Sequence, residues 1–592
     1  MSTSDGDQPF PRQIKSVLPK QRYNVLRWDG WGYKDTRLLR DEQGLYCSGN
    51  RYFNAGENHM GSFWNKFKTC FDLEERPVQV ATEPTEFPEP LKNENFLASL
   101  IVFGVDYSEK GLDRFVRSHG QCVQDLIAVK SLSIKRIPDV VLWPNRHEQV
   151  VKIVELAMKH DVVLIPVGGN TSVSGAVRTP EIMDRTIAVI DMTQMNRLLW
   201  LSKENLTACF ESGVVGQDIE RELQKEGLTL GHHPDSYEFS TLGGWISTRA
   251  SGVKKNTYGN IEDLVIRIKL VTAVGVLEKQ YTAARVSCGP DIDHMVFGSE
   301  GTLGIVTEAI VKVRPIAEVS KFGSLVFPDY ETGVRFVREI AEKRLQPASI
   351  RLMDNTQVML GKTLTENKWY SRILTKAQDF CLEKYYRYSI SEIAACAIMF
   401  EGDAKTVSSH EKEFYGIASK YGAIYGGSAN SEKCFLMIFI AAYIRDFGLD
   451  HNVICDSFET SVSWDKSIQI CHNVKSAVHA ECKRRSKLLT NPLLSYRLTQ
   501  SYDTGCCIYF YLSCKMNGSL ERSLQAYMEV EDAAREEILA NGGTVSHHHG
   551  IGKIRSKWFP TTSTKAGMGL LKAVKKELDP NNIFAVGNLF PD

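Results

Sequence analysis

The sequence predicts an α+β protein built from several units, and three observations carry that expectation. The chain has 592 residues, more than one hydrophobic core ordinarily serves. Its middle, from residue 137 to about 305, alternates short apolar runs with loops of glycine and small hydroxyl residues, a β-rich pattern. Beyond Pro315, strand-like runs alternate with amphipathic helical ones.

Composition narrows the classes. A hydrophobic content of 43% and a charged content of 24% are ordinary for a globular protein. Lys+Arg and Asp+Glu both number 71, so nothing in the net charge recommends a nucleic-acid partner, and an anion must be held by a local site. The 14 cysteines are scattered without a C-x-x-C or paired zinc-type spacing, and Cys506 and Cys507 are adjacent, which suits a reducing compartment. The first twenty residues are polar and carry no apolar h-region, so secretion is not expected. The longest apolar run, CFLMIFIAAYI at 434–444, is too short to cross a bilayer. It reads as a buried strand or helix, or as one wall of an apolar tunnel.

Taken in order, residues 1–20 read as disordered, and the rings of Trp28, Trp31, Tyr33, Phe63 and Trp64 as packing groups. A helical pattern covers 97–129, with Leu112, Phe115 and Val116 on one face and Arg114, Arg117 and His119 between them. Residues 1–135 thus form a mainly helical N-terminal region. Val140, Val141 and Leu142 make a short strand, and Asn145 with Glu148 resembles a capping box for a helix whose buried stripe is Val150, Ile153, Val154, Ala157 and Met158. The strand at 162–167 then empties into PVGGNTSVSG, with Pro166, Val167, Gly168, Gly169, Asn170, Thr171 and Ser172 at its head. Gly168 and Gly169 leave room for an anion, and the amides of Asn170, Thr171 and Ser172 suit a nest around it. The next element is a strand at 187–190, not a helix, and there is no G-x-G-x-x-G, which excludes a Rossmann unit.

Further small-residue loops punctuate the same region after the helix at 217–226, which Gly227 stops. They carry Asp235 and Ser236, then Ser240 and Thr241, then Thr248, Arg249, Ala250 and Ser251, and finally Glu300, Gly301, Thr302, Leu303, Gly304 and Ile305. So many such loops between strands suggest the rim of a site wrapping one long ligand.

Past Pro315 the pattern gives helices at 333–343 and 406–421, a helical stretch at 365–390 and a strand at 394–401, while 348–354, with Arg351, opens a separate cap. Arg445 ends the apolar wall, either as an anchor for an anionic head or as the salt-bridge partner of Asp446. In the strand at 506–512, alternation puts Tyr509 and Tyr511 on one face and Phe510 on the other. A helix at 524–540 closes on Asn541-Gly542 and delivers SHHHGIGK, with His547, His548 and His549. Three consecutive histidines lack the i, i+4 spacing of a helical zinc pair, so no metal is assigned; imidazoles titrating near neutrality suit proton transfer. A last helix centres on Leu570, Leu571, Val574 and Leu578.

PVGGNTSVSG, STLGGWISTRASG and GSEGTLGI together resemble the FAD-binding domain of the vanillyl-alcohol oxidase, or p-cresol methylhydroxylase, type. The resemblance implies two α+β subdomains with non-covalent FAD extended between them and its pyrophosphate on the first loop. Asn170 departs from the glycine common there. The implied organisation is an N-terminal region at 1–135, the FAD-binding domain at 136–316, an α+β cap or substrate domain at 317–540, and a C-terminal segment at 541–592 that returns to the flavin site.

The wider set WDGWGY, DRFVRSHG, RIPDVVLWP, PDSYEFST, PASIRLMDN, AYIRD, SFETS, CIYFY and GTVSHHHG is similar to the alkyldihydroxyacetonephosphate synthase family from about residue 22 onward. That resemblance implies exchange of the acyl chain of acyl-dihydroxyacetone phosphate for a long-chain fatty alcohol, with FAD as a covalent trap and no net redox. It also implies Tyr509 as acid/base, Arg445 at the substrate, Arg351 as an arginine needed for activity, and His547 to His549 as the essential cluster. The expected setting is peroxisomal, as a homodimer in ether-lipid and plasmalogen synthesis, with peripheral membrane contact and a partnership with the acyltransferase that supplies the substrate. No SKL-like terminus is present. The alternative is an FAD-dependent 2-hydroxyacid dehydrogenase, whose usual GEHGIG here has His548 where the acid stands; a flavin-fold binding protein without catalysis is the third class.

Overall fold

The structure, a computed structural model, describes residues 10–590 apart from 43, 50–58, 61, 75–80 and 364–368. The chain forms two compact units, one of Met1–Gly30, Thr82–Ile316 and His548–Asp592, the other of Trp31–Ala81 and Ala317–His547.

In the first unit a four-stranded sheet runs in the order Asp106–Ser108, Val140–Trp143, Ile187–Asp191, Val163–Val167, the last three parallel. These parallel strands are continuous apolar runs because both faces are covered. The helix His147–His160 lays Val150, Ile153, Val154 and Ala157 into the same core. Its start differs from the expected capping box: the Asn145 amide donates to the Gln149 side chain at 2.9 Å, one residue beyond Glu148. At the free edge, Leu164 exchanges backbone hydrogen bonds with Ile583 and Ala585, so the last residues extend this sheet.

A six-stranded antiparallel sheet completes the unit, in the order Arg12–Gln13, Arg197–Ser202, Thr207–Glu211, Ile305–Lys312, Val265–Thr272, Gly275–Glu278. Its first strand corrects the expectation of disorder for 10–20; residues 1–9 lie outside the described residues. Arg12–Gln13 pairs with Leu198 and Arg197, and Ile14 and Leu18 are fully buried, which repays the ordering of this polar stretch. The helical pattern at 97–129 is broken as well, into helices Glu94–Val102, Gly111–Phe115 and Val123–Lys130 and the strand Asp106–Ser108. Gly104, at φ +62°, ends the first helix, and Arg114, Arg117 and His119, read as lying between the apolar residues of one helical face, are all buried.

The second unit is organised on a seven-stranded antiparallel sheet in the order Ile424–Tyr425, Val319–Phe327, Ala394–Gly402, Ser349–Met353, Leu493–Ser501, Gly505–Lys515, Val453–Ser463. The apolar run at 434–444 is a helix, Ser428–Asp450, lying over one face: Phe435 contacts Phe322 and the Arg351 guanidinium, and Cys434 Sγ lies 3.8 Å from Met353 Sδ. The helices Tyr330–Glu342, Ala404–Lys420 and Leu520–Ala540 cover the other, through Phe336 on Phe327, Phe414 on Phe400 and Arg535 on Phe458. Asp329 and Asp403 cap the first two, accepting from Thr332 and Thr406, so both helices begin earlier than the apolar periodicity alone indicates. Within 365–390 the helix is Trp369–Lys384; 364–368 fall outside the described residues.

Candidate active site

The first unit holds a cradle. After strand Val163–Val167 the chain turns at Asn170, whose φ of +63° supplies the left-handed conformation a glycine would otherwise give. Asn170 Nδ2 donates to the carbonyls of Val116 and His119 at 2.9 and 2.8 Å, while its buried Oδ1 meets no donor among the described residues. The backbone amides of Gly169, Asn170, Thr171 and Ser172 likewise meet no acceptor among them. Partly buried N–H groups left together in this way form an anion nest.

The glycines serve a purpose the sequence did not disclose. A Cβ at Gly168 would overlap the Thr241 hydroxyl, and one at Gly169 the Phe239 carbonyl. They are glycine because the second loop, 239–241, packs against the first, whatever ligand is bound. Arg22 fixes the Gly168 carbonyl at 2.5 Å and shares Asp191 with Arg117, at 2.8 and 2.7 Å. Burial lowers the Arg22 pKa to about 10, while these two arginines pull Asp191 down to about 2 against its own burial.

Most residues of the other loops build the cradle's walls. Ser240 Oγ accepts from the Trp245 indole at 2.8 Å, and Thr241 caps a helix, Leu242–Thr248, where only loop was expected. Thr248 bonds the Gly244 carbonyl, Ser251 reaches Asn260 and Thr302 bonds the Ser299 carbonyl. Asp235 is exposed beside Ser236, whose carbonyl accepts from Phe239 and Ser240; Arg249 is exposed and pairs with Glu262. Ala250, Leu303 and Ile305 are buried apolar packing, and Gly301 and Gly304 sit against Pro166 and the Val271 carbonyl.

Glu300 is the brace of this unit. Its carboxylate, 6% exposed, accepts from Ser174 Oγ at 3.1 Å and from the amides of Ile551 and Gly552 at 3.2 and 2.8 Å. Burial raises its pKa. His548 and His549 meet edge to face at 4.7 Å in the same unit.

In the second unit, strand register collects a polar row on the face beneath the helix Ser428–Asp450. Tyr509 lies directly opposite Arg497 on one neighbouring strand and Glu459 on the other. Directly paired residues share a face, so the three side chains stand side by side. Tyr509 stacks on Tyr511 at 5.8 Å, and the Arg497 guanidinium lies 5.9 and 5.0 Å from their ring centroids and donates to the Tyr511 hydroxyl. Arg351 stands on the same face two residues from Met353, which pairs with Arg497. It is buried against Phe435 at 5.6 Å. Arg445 pairs with Asp446 at 2.8 Å, and Asp446 also accepts from the Trp31 amide. Of the two readings of that arginine, the salt bridge is therefore present. His547 is held by Tyr502, whose hydroxyl lies 2.6 Å from Nε2.

Sequence reasoning missed Arg497, Glu459, Tyr502 and Gln500. For two of them the signal was available: a lone charged residue inside an otherwise uncharged stretch, Arg497 in SYRLTQS and Glu459 in SFETS, is buried and demands a partner.

Comparison with known proteins places these features. Residues 138–279 match the family model for an FAD binding domain, and 316–589 that for the C-terminal domain of FAD linked oxidases. The alkyldihydroxyacetonephosphate synthase of Caenorhabditis elegans is 42% identical, covering 97% of this chain and 97% of its own. A solved alkyldihydroxyacetonephosphate synthase superimposes with a TM-score of 0.82 at 27% identity, over 95% of this chain and 98% of that one. p-Cresol methylhydroxylase, at 14% identity, shares the fold with a TM-score of 0.64 over 84% of this chain and 97% of its own.

Proposed function

From the premise that the chain belongs to the alkyldihydroxyacetonephosphate synthase family, we propose how its own residues carry the family's reaction. Its function is exchange of the acyl chain of 1-acyl-dihydroxyacetone 3-phosphate for a long-chain fatty alcohol, forming the ether bond and releasing the fatty acid. The observation that carries this is the continuous match at 42% identity along 97% of the chain, which includes both units.

FAD is the cofactor. The cradle fits it: the unpaired amides at 169–172 and the orphaned Asn170 Oδ1 offer donors and an acceptor to a diphosphate and its polar substituents. Pro166, Val167 and the loops at 235–251 and 300–305 would line its length. Bound FAD supplies a covalent trap for a carbon nucleophile, without net redox.

Around that group the chain's own residues divide the work. Tyr509 moves the proton at the reacting carbon or the alcohol, its ring pinned between Arg497 and Glu459. Arg445 takes the phosphate head, with Asp446 orienting the guanidinium. Arg351 adds a buried positive charge on the face that carries Tyr509. The helix Ser428–Asp450 covers that face and excludes water, so protons pass between fixed groups. His547, His548 and His549 support proton movement.

Beyond the reaction, we place the protein in the peroxisome, as a homodimer of plasmalogen-forming ether-lipid synthesis, in peripheral contact with a membrane and beside the acyltransferase that supplies its substrate. Both substrates carry long apolar chains, and no helix among the described residues is long and apolar enough to cross a membrane.

One assay tests the chemistry. Purified yellow protein receives acyl-dihydroxyacetone phosphate with labelled hexadecanol, and in parallel a 2-hydroxy acid with an electron-accepting dye. Ether product without dye reduction is expected; dye reduction without ether would make the protein a dehydrogenase.

A further inference from the structure

We propose that the Asn588 side chain is a positioning residue for the flavin, a three-way bolt that holds the loops of the FAD cradle at a fixed spacing. The inference rests on the FAD site as read above and not on the transfer reaction. All of its parts belong to the first unit.

Asn588 is 3% exposed, and its amide meets three strips of chain that the sequence keeps far apart. Nδ2 donates to the Ala176 carbonyl at 2.9 Å, just past the loop PVGGNTSVSG, and to the Glu300 carbonyl at 3.0 Å, in the loop GSEGTLGI. Oδ1 accepts from the Lys553 ammonium at 2.6 Å, at the end of SHHHGIGK, and the same ammonium reaches the Ala176 carbonyl at 3.3 Å. Burial lowers the Lys553 pKa to about 8, which still leaves the amine charged at neutral pH. The partners settle which way the amide points. A carbonyl only accepts and an ammonium only donates, so the flipped side chain would set an oxygen against two carbonyls and an NH2 against a cation.

The backbone that carries Asn588 is itself anchored. The Asn588 amide donates to the Ala585 carbonyl and the Leu589 amide to the Gly552 carbonyl, both at 3.1 Å. Ala585 and Leu589 hold left-handed backbone, φ +42° and +65°. Such strain in residues with a Cβ persists where the surroundings over-determine it. Lys575 makes a parallel tie, donating to the carbonyls of Thr302 and Phe584 at 2.9 and 3.2 Å. The amides of Lys553 and Ile554 both donate to the Ser174 carbonyl, at 3.1 and 3.2 Å. The cradle loop, the loop of Glu300 and the strip of Lys553 therefore converge on one side chain. Loops held at their spacing beforehand lose less freedom when FAD binds, so the bolt acts on affinity.

The test is FAD retention by the purified yellow protein. Serial dilution releases the flavin, and its fluorescence gives the FAD Kd at a temperature well below unfolding. Asn588→Leu fills the space without hydrogen bonds, and Asn588→Asp keeps the acceptor for Lys553 but sets an oxygen against the two carbonyls. Each should raise the Kd about 10- to 100-fold, the scale of one to two lost hydrogen bonds. Melting followed by circular dichroism supplies the structural control. An unchanged Kd in both variants overturns the proposal, and a lowered melting temperature beside it would make Asn588 a fold-stabilising residue only. Should neither Asn588 variant fold, Lys553→Met decides: losing one arm should raise the Kd about 3- to 10-fold, and an unchanged Kd overturns the bolt. No substrate enters the measurement, so a failure of ether synthesis in the unaltered protein leaves its outcome distinct.

Discussion

Removing Glu300 should damage the protein far more than replacing it with its amide. The carboxylate accepts three hydrogen bonds: Ser174 Oγ on one oxygen, the Ile551 and Gly552 amides on the other. Glu300→Ala leaves the buried Gly552 amide and the part-buried Ile551 amide without this acceptor. Each unmet donor costs about 1–3 kcal/mol, so the loss is about 2–6 kcal/mol. For a unit of this size that lowers the melting temperature by about 4–12 °C. Glu300→Gln is different, because the amide oxygen can take both backbone donors while its NH2 donates to Ser174 Oγ, which accepts as readily as it donates. Linkage sharpens the contrast. Burial raises the native pKa of Glu300, so the folded state holds the proton more tightly than the unfolded one. The resulting stabilisation is complete below the ordinary glutamate value and is lost as pH rises through the native one. Glu300→Gln cannot ionise, and should be at least as stable as wild type at pH 7, with a flatter dependence above the ordinary glutamate value. The check is thermal unfolding followed by flavin fluorescence at several pH values. If Glu300→Gln melts as early as Glu300→Ala, the carboxylate acts through its charge and the bracing argument is wrong.

Tyr509→Phe should abolish alkyl exchange while the flavin absorbance remains; full exchange in this variant removes the tyrosine from the mechanism. Gly169→Ala drives a methyl into the Phe239 carbonyl, an overpacking cost of about 1–3 kcal/mol, and should be read as a lower ratio of flavin to protein absorbance. His232 is buried edge-on to Trp245, and burial, with His233 and His548 nearby and Glu220 opposing them, lowers its pKa to about 3. The unfolded chain takes that proton below pH 6.5 and the native state does not, so stability falls as pH drops from 6.5 toward 3, by about 2 kcal/mol at pH 5. His232→Leu should remove that part of the slope in denaturant titrations at pH 7 and pH 5.

The parallel strands and the long capped helices were legible because their patterns are local: a continuous apolar run, or a stripe at helical spacing. The cradle loop was legible for the same reason, although the reason for its glycines was not. Gly168 and Gly169 face residues 239–241, some seventy positions away, and no local pattern carries that distance. The stretch at 97–129 misled because its apolar spacing reads as one helix, whereas Arg117 is fully buried on Asp191, the last residue of a strand far along the chain. The row of Glu459, Tyr509 and Arg497 depends on register across three strands, which strand alternation within each does not fix.

The histidine string illustrates what register and long-range pairing accomplish together. Its residues belong to no helix or strand, and an irregular segment is normally the least ordered part of a chain. Here both ends are gripped by buried carboxylates. Glu459 holds Ser546 and His547 within the second unit, and Glu300 holds Ile551 and Gly552 within the first. A left-handed Gly550, whose Cβ would overlap the Glu300 carboxylate, lets the backbone come that close. The string is also where the chain passes from one unit to the other, after His547. Within its own unit, each carboxylate orders the residues it grips without secondary structure. The two grips are separable: Glu459→Gln, which weakens the acceptor of the His547 amide, should shift the His547 NMR signals and leave flavin retention intact, whereas Glu300→Ala should lower flavin retention and leave the His547 signals unchanged.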